Sequence, residues 1–330
     1  VSARAGSHTR HGAAPGADAA RELALGREVL SPALRMRIRL LELRTRRLAF
    51  GDVSGAYRST VRGSGIEFEE VRPYQPGDDV RTLDWKVTAR TGEPYVKTYT
   101  EERQLRLHLV VDASRSMDFG SGPSTKREVA AEVAALLAGA AAQQRDLIGL
   151  DLFSQGRRRH VRPAAGRAQM LRLVGAIAAE PSLPADGRGL VETLTALERV
   201  LGRRGVLVLV SDFRGEDDSA WPLVAARLAR RHDLVCVRIV DPLEEELPDV
   251  GWLAFEDPES GRAVDVDTTS RAVRAAWAAD ARERRVRFEA AARRARAETV
   301  ELSTSPRTLG GATDPLVAFF RNRLGRRGGP

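Results

Sequence analysis

The sequence predicts an α/β protein built on a doubly wound, mostly parallel sheet with helices on both faces. Three observations lead there. Near-continuous apolar runs, RLHLVV at 106–111, LIGLDLF at 147–153, VLVLV at 206–210 and LVCVRIV at 234–240, alternate with helix-length segments. Strands apolar throughout belong in a sheet covered on both faces. Three of these runs end in, or just before, an aspartate: Asp112, Asp212 and Asp241. In open α/β sheets the carboxyl ends of the strands are where ligands bind.

Taken in order, residues 1–25 are rich in Ala, Gly, Ser and Arg without periodicity and read as a disordered leader. Ser31-Pro32 suits a helix start. Leu34, Ile38, Leu41 and Leu48 give that helix an apolar face, although Leu34, Met36, Ile38 and Leu40 also alternate as a strand would. Residues 26–100 therefore hold an N-terminal helix followed by a charged, glycine-punctuated segment. In that segment Ile66, Phe68 and Val71 suggest a short strand. Pro76-Gly77 suits a type II turn, and Asp78 can cap a short helix carrying Val80, Leu83 and Val87 that stops at Gly92. Tyr95–Tyr99 reads as a strand.

Residues 101–322 form the main domain. Helices are expected at 126–143, 167–179, 190–201, 219–231 and 270–297, with a hairpin over 251–267 turning at Ser260-Gly261. A last strand falls near Val300–Leu302. A final helix opens at Asp314-Pro315, and 323–330 reads as a mobile basic tail.

Composition narrows the function. The chain has 330 residues, a net charge of +8 and one cysteine, Cys236, inside an apolar strand. A reactive thiol needs an exposed, electropositive setting, so Cys236 reads as core. No apolar run reaches the ~18 residues of a membrane span, and no signal-peptide centre is present, which points to a cytoplasmic protein. The excess positive charge is almost all arginine, spread along the chain; the lysines are Lys86, Lys97 and Lys126. A nucleic-acid partner is disfavoured on that ground. A membrane surface stays open as a partner for the basic N-terminal helix. No phosphate-binding G-x-x-x-x-G-K run and no Cys/His zinc spacing occurs. None of His8, His11, His108, His160 and His232 stands in a motif with a nucleophile.

The candidate site is the loop after the first core strand. Asp112, Ser114 and Ser116 place three oxygen donors at alternating positions, a set suited to Mg²⁺. A second candidate surface is the charged segment with Arg72, Tyr74, Asp78, Asp79, Arg81, Asp84, Trp85, Lys86 and Arg90. Either these charges lock the segment in place, or the Trp, Tyr and Arg side chains dock a partner protein.

The run GSGIEFEEVRPYQPGDDVRTLDWKVTAR at 63–90, with DASRSM at 112–117, SDF at 211–213 and RHDLVCVRIVDPLEEELP at 231–248, resembles the bacterial domain-of-unknown-function family 58. That family is related to von Willebrand factor A domains, whose adhesion site holds Mg²⁺ with D-x-S-x-S, a threonine on a second loop and an aspartate on a third. The resemblance implies metal-site roles for Asp112, Ser114, Ser116 and Asp212. It also places Arg188, in DGRGL at 186–190, where the threonine would stand. A guanidinium cannot ligate a cation. The site is then metal-free and bridged by Arg188, or holds Mg²⁺ with water replacing threonine, or is a structural loop. The resemblance further implies a non-enzymatic adaptor working with a MoxR-type AAA+ ATPase on other protein complexes. The alternatives are a metal-dependent hydrolase using Asp112 and Asp212, with Asp151 and Asp241 as further carboxylates, and an arginine-rich nucleic-acid binder.

Overall fold

The computed structural model describes residues 36, 67–76, 78, 83–100, 104–154, 157–181, 189–214, 219–256, 261–305 and 312–327. The leader at 1–25 lies outside them. Of the N-terminal helix only Met36 lies inside, and it is helical.

The centre is a six-stranded sheet. Its strands are β3 (Arg106–Asp112), β4 (Leu147–Ser154), β5 (Arg157–Ala164), β6 (Val206–Ser211), β7 (Asp233–Val240) and β10 (Glu298–Ser303), in the order β10-β7-β6-β3-β4-β5. All neighbours are parallel except β5, which runs antiparallel to β4 along the edge. The doubly wound parallel expectation holds. From β3 the chain winds outward to β4 and β5, then returns to β6 and winds the other way. The loops after β3 and β6 therefore part company at the centre, and a crevice opens between them.

The strands alternate between two cores. Leu107, Leu109 and Val111 of β3 face one core, and Val110 the other. The first is filled from α2 (Lys126–Gln143), α3 (Arg167–Ala179) and α8 (Asp314–Arg327), through residues such as Leu137, Leu173 and Phe320. The second is filled from α4 (Gly189–Val200), α5 (Trp221–Leu228) and α7 (Arg271–Arg294), through Leu194, Trp221 and Phe288. A short α6 (Pro242–Glu245) follows β7, and β8 (Trp252–Glu256) pairs antiparallel with β9 (Ala263–Asp267) in the expected hairpin. Thr125 and Glu128 close a reciprocal capping box at the start of α2. That cap fixes where the helix begins, and so where Lys126 projects.

Four expectations need correction. The short helix of the charged segment is α1 (Trp85–Thr91), and its cap is Asp84, which accepts from the Lys86 and Val87 amides. Asp78 instead grips Arg72 with both carboxylate oxygens, at 2.9 and 2.7 Å. The expected end at Gly92 holds, with the glycine left-handed at φ 78°. Around α1, β1 (Glu67–Pro73) and β2 (Tyr95–Thr100) pair with each other and make a sheet of their own. The edge strand β5, RRRHVRPA, was not foreseen, because only Val161 in it is apolar and buried. Charged side chains on an edge strand block pairing with another sheet, and they also hide the strand from hydropathy. Helix α5 is shorter than expected. The tail does not begin at 323: α8 runs to Arg327, and buried Arg323 forks onto Asp233 at 2.7 Å and Glu298 at 2.6 Å, tying the helix to the sheet.

Gly205 enters β6 tightly against β3: a β-carbon there would overlap the Arg106 carbonyl oxygen. Gly205→Ala is expected to lower unfolding free energy by about 1–3 kcal/mol in urea titration, as overpacking does. A matched Gly202→Ala, where the space is open, is expected to cost less.

Candidate functional site

The site lies at the crevice, between the ends of β3 and β6. Val111 pairs with Val210, so Asp112 and Ser211 leave the sheet side by side, with Asp212 next. Asp112 is buried. Its Oδ1 accepts the Ser114 amide at 2.8 Å and its Oδ2 accepts the Ser211 hydroxyl at 2.7 Å. Ser114 and Ser116 turn toward each other, Oγ to Oγ 3.1 Å, on the 3-10 turn at Arg115–Asp118. From α2, Arg127 donates to the Ala113 and Ser114 carbonyls and to Asp118, which holds this loop in shape.

A fixed cation sits beside these carboxylates. The Lys126 side chain is fully buried and donates to Asp212 Oδ2 at 2.5 Å and to Glu244 Oε1 at 2.8 Å. The Phe119 ring lies 6.0 Å from the ammonium. Asp212 Oδ1 accepts the Arg214 amide at 3.0 Å, and the Arg214 guanidinium, one-third exposed, reaches Glu244 at 2.6 Å. Glu244 is presented by α6, whose cap Asp241 also accepts from Ser121 and Thr304. The strand-end aspartates of β7 and β6 are thus joined to the β3 loop in one network.

The electrostatics divide the two central aspartates. Burial, and then the charge of Asp212, push the Asp112 carboxyl up to about 6. Asp212 is equally buried, but the Lys126 charge and hydrogen bond, with the Arg214 amide and charge, hold it below the usual carboxylate range. Burial opposes the charge of Lys126, yet Asp212 and Glu244 outweigh it and raise its pKa. The ammonium therefore stays protonated and bound.

The residues fit Mg²⁺ poorly. Both oxygens of Asp212 are committed to Lys126 and to the Arg214 amide, and the lysine puts a permanent positive charge where the ion's field would act. That leaves Ser114 and Ser116, whose hydroxyls are bonded to each other. An octahedral ion that dehydrates reluctantly needs more than that.

A family model described as "Protein of unknown function DUF58" matches residues 70–287. The chain belongs to that family. It is 37% identical over 235 residues to Uncharacterized protein Rv1480 of Mycobacterium tuberculosis (strain ATCC 25618 / H37Rv), covering 71% of this chain and 74% of that protein. Uncharacterized protein Mb1516 of Mycobacterium bovis (strain ATCC BAA-935 / AF2122/97) matches over the same extent at the same identity. Among solved structures, BatB from Bacteroides thetaiotaomicron is similar at 11% identity and TM-score 0.44, covering 68% of this chain and 98% of that one. A von Willebrand factor type A protein from Catenulispora acidiphila is similar at 12% identity and TM-score 0.35, covering 70% and 44%.

In this DUF58 chain the structure brings Asp112, Ser114, Ser116 and Asp212 together at one strand edge. Arg188 lies outside the described residues, as do Asp79 and Arg81. Of the charged segment, Arg72 and Asp78 are paired and Asp84 is a buried cap. Tyr74 is half-buried, while Trp85, Lys86 and Arg90 are exposed. Sequence reasoning missed Lys126, Ser211, Arg214 and Glu244. One signal was present: Lys126 is one of three lysines in a chain that otherwise uses arginine for its 50 remaining basic residues. A straight, flexible ammonium can enter a closed pocket that a planar guanidinium cannot. Cys236 is buried as expected, and burial pushes its thiol up.

Two outcomes follow from the charges. Because the folded Asp112 holds its proton more tightly than the unfolded chain does, stability falls as pH rises from about 4 to about 6. Asp112→Asn should remove that slope, so that its stability relative to the parent improves by about 2–3 kcal/mol between pH 4 and pH 8 in urea titrations. Lys126→Met should cost about 3–5 kcal/mol by leaving Asp212 buried without its cation. Adding Asp212→Asn to it should recover part of the loss in the same titrations.

Proposed function

We propose that this DUF58 protein is a non-enzymatic interaction module that works with a MoxR-type AAA+ ATPase on the assembly or maturation of other protein complexes, in the cytoplasm. The partner follows from what the family resemblance implies. The observation that supports a binding rather than a catalytic role is the Lys126 ion pair. An enzyme of the hydrolase kind needs a carboxylate free to take a proton, or an open metal position. Here both oxygens of Asp212 are engaged by Lys126 and the Arg214 amide, which leaves this edge no open metal position. Asp112, although its carboxyl is pushed up, is buried against the Ser114 amide and the Ser211 hydroxyl, away from any substrate. Among the described residues no helix is long and apolar enough to cross a membrane.

The docking edge is the rim of this site. In von Willebrand A domains an acidic side chain of the partner completes the metal's coordination. In this protein the chain supplies the cation itself. The Arg214 guanidinium, held at one nitrogen by Glu244 and one-third exposed, offers a fork for a partner carboxylate. Arg188 is the second candidate for that role. Trp85, 70% exposed on a helix with no buried residue, gives the charged segment an aromatic anchor for the same partner.

The test is co-purification of the full chain with the AAA+ ATPase, with and without nucleotide, followed by affinity titration. Arg214→Ala, Arg188→Ala and Trp85→Ala are expected each to weaken binding by about tenfold or more. Adding millimolar Mg²⁺ to the chelator-stripped adaptor in its own thermal melt is expected to leave Tm unchanged, since a ligand that does not bind the native state does not stabilise it. An ATPase that binds all three variants as tightly as the parent would refute the docking edge.

A further inference from the structure

On the far side of β3 from Ser211, three metal-ligating side chains meet. The register sets Val110 beside Asp151 and Asp151 beside His160, while His108 stands opposite Gly149. His108, Asp151 and His160 therefore come from three adjacent strands. They share the sheet face that carries Val110 and Phe153 into the second core, and they interrupt it with polar groups. His108 Nε2 lies 2.6 Å from Asp151 Oδ2, and His160 Nδ1 lies 2.9 Å from the same oxygen. The three ligand atoms fall within 4.8 Å of one another. The rings stack with centroids 5.8 Å apart. Arg158 Nε holds the other oxygen, Oδ1, at 2.5 Å.

The cluster is closed behind and open in front. Asp151 has no exposed surface and His108 is 97% buried, whereas the His160 and Arg158 side chains are each 30% exposed. Burying an ionised carboxylate here is costly unless something positive faces it. Burial alone would raise the Asp151 pKa; the bonds from His108, Arg158 and His160 bring it below the usual range, so the carboxylate is ionised. Gly149 is part of the construction: a β-carbon there would come within 2.8 Å of His108 Nδ1. Glycine at this point of an otherwise bulky strand leaves the space the imidazole occupies.

We propose that His108, Asp151 and His160 form a binding site for a divalent transition metal of the Zn²⁺ class. Two imidazole nitrogens with one carboxylate oxygen suit Zn²⁺ and its neighbours, whereas Mg²⁺ and Ca²⁺ take oxygen donors throughout. Metal–ligand bonds of about 2.0–2.1 Å put tetrahedral ligand atoms about 3.3 Å apart. The two nitrogen–oxygen separations, 2.6 and 2.9 Å, need to open by under 1 Å, and the two nitrogens, within 4.8 Å of each other, need to settle at the same spacing. Arg158 on Oδ1 orients the carboxylate so that Oδ2 faces both rings, the outer support that ligating groups need. Solvent reaches the His160 side and completes the coordination. The ion takes the ring nitrogens that now face Asp151, each neutral imidazole keeping its proton on the other nitrogen, and because only the neutral ring ligates, binding weakens as pH falls. This site shares no residue with the Asp112 edge and stands or falls apart from it.

The test is calorimetry of tag-free, chelator-stripped protein with ZnCl2, and visible spectroscopy with CoCl2. The expected result is one saturable Zn²⁺ site, a Co²⁺ spectrum with d–d bands in the visible, and binding weakened about tenfold or more in His160→Gln, whose partly exposed ring can be replaced without disturbing the core. His108→Gln should abolish the Co²⁺ bands, and Asp112→Asn should leave both readouts unchanged. Absence of saturable binding in the parent, or binding that survives His160→Gln at full strength, overturns the proposal and leaves the three side chains a hydrogen-bonded network only.

Discussion

The arrangement of the strand edge depends on one buried ammonium. Three carboxylates, Asp112, Asp212 and Glu244, are drawn to the same crevice by strand order and by the short helix after β7. Unneutralised, they would repel one another in a medium that screens poorly. Lys126 answers two of them directly. Asp112 is left to its hydrogen bonds, and that difference is why neighbouring aspartates titrate in opposite directions. The capping box that starts α2 at Lys126 is thus as much a part of the site as the aspartates.

This view joins the site to the fold. Arg127, the residue after Lys126, clamps the β3 loop through its carbonyls, while Asp241 holds Ser121 and Thr304 from the next strand end. The carboxyl edge is a continuous set of polar bonds running from β3 to β10.

The Lys126 site and the His108–Asp151–His160 cluster use opposite solutions to the same problem. Each buries a carboxylate beside the central strand. One is compensated by a side-chain cation with no room for exchange, the other by two imidazoles and a partly exposed arginine that leave an approach from solvent.

The sequence by itself determined the class of fold, most element positions, the β8–β9 hairpin and the family signature, because those rest on local periodicity, capping and turn chemistry. It also put Asp112 and Asp212 at strand ends, since a strand's end is visible where its apolar run stops. Only the tertiary structure decided which charges meet. Lys126 reaches Asp212 across 86 positions and Glu244 across 118, and His108 reaches Asp151 across 43. The edge strand β5 was hidden for a related reason: its identity comes from the hydrogen bonds β4 offers it and not from its own arginine-rich residues. Pairings of that kind are set by strand order and register, which no local pattern encodes.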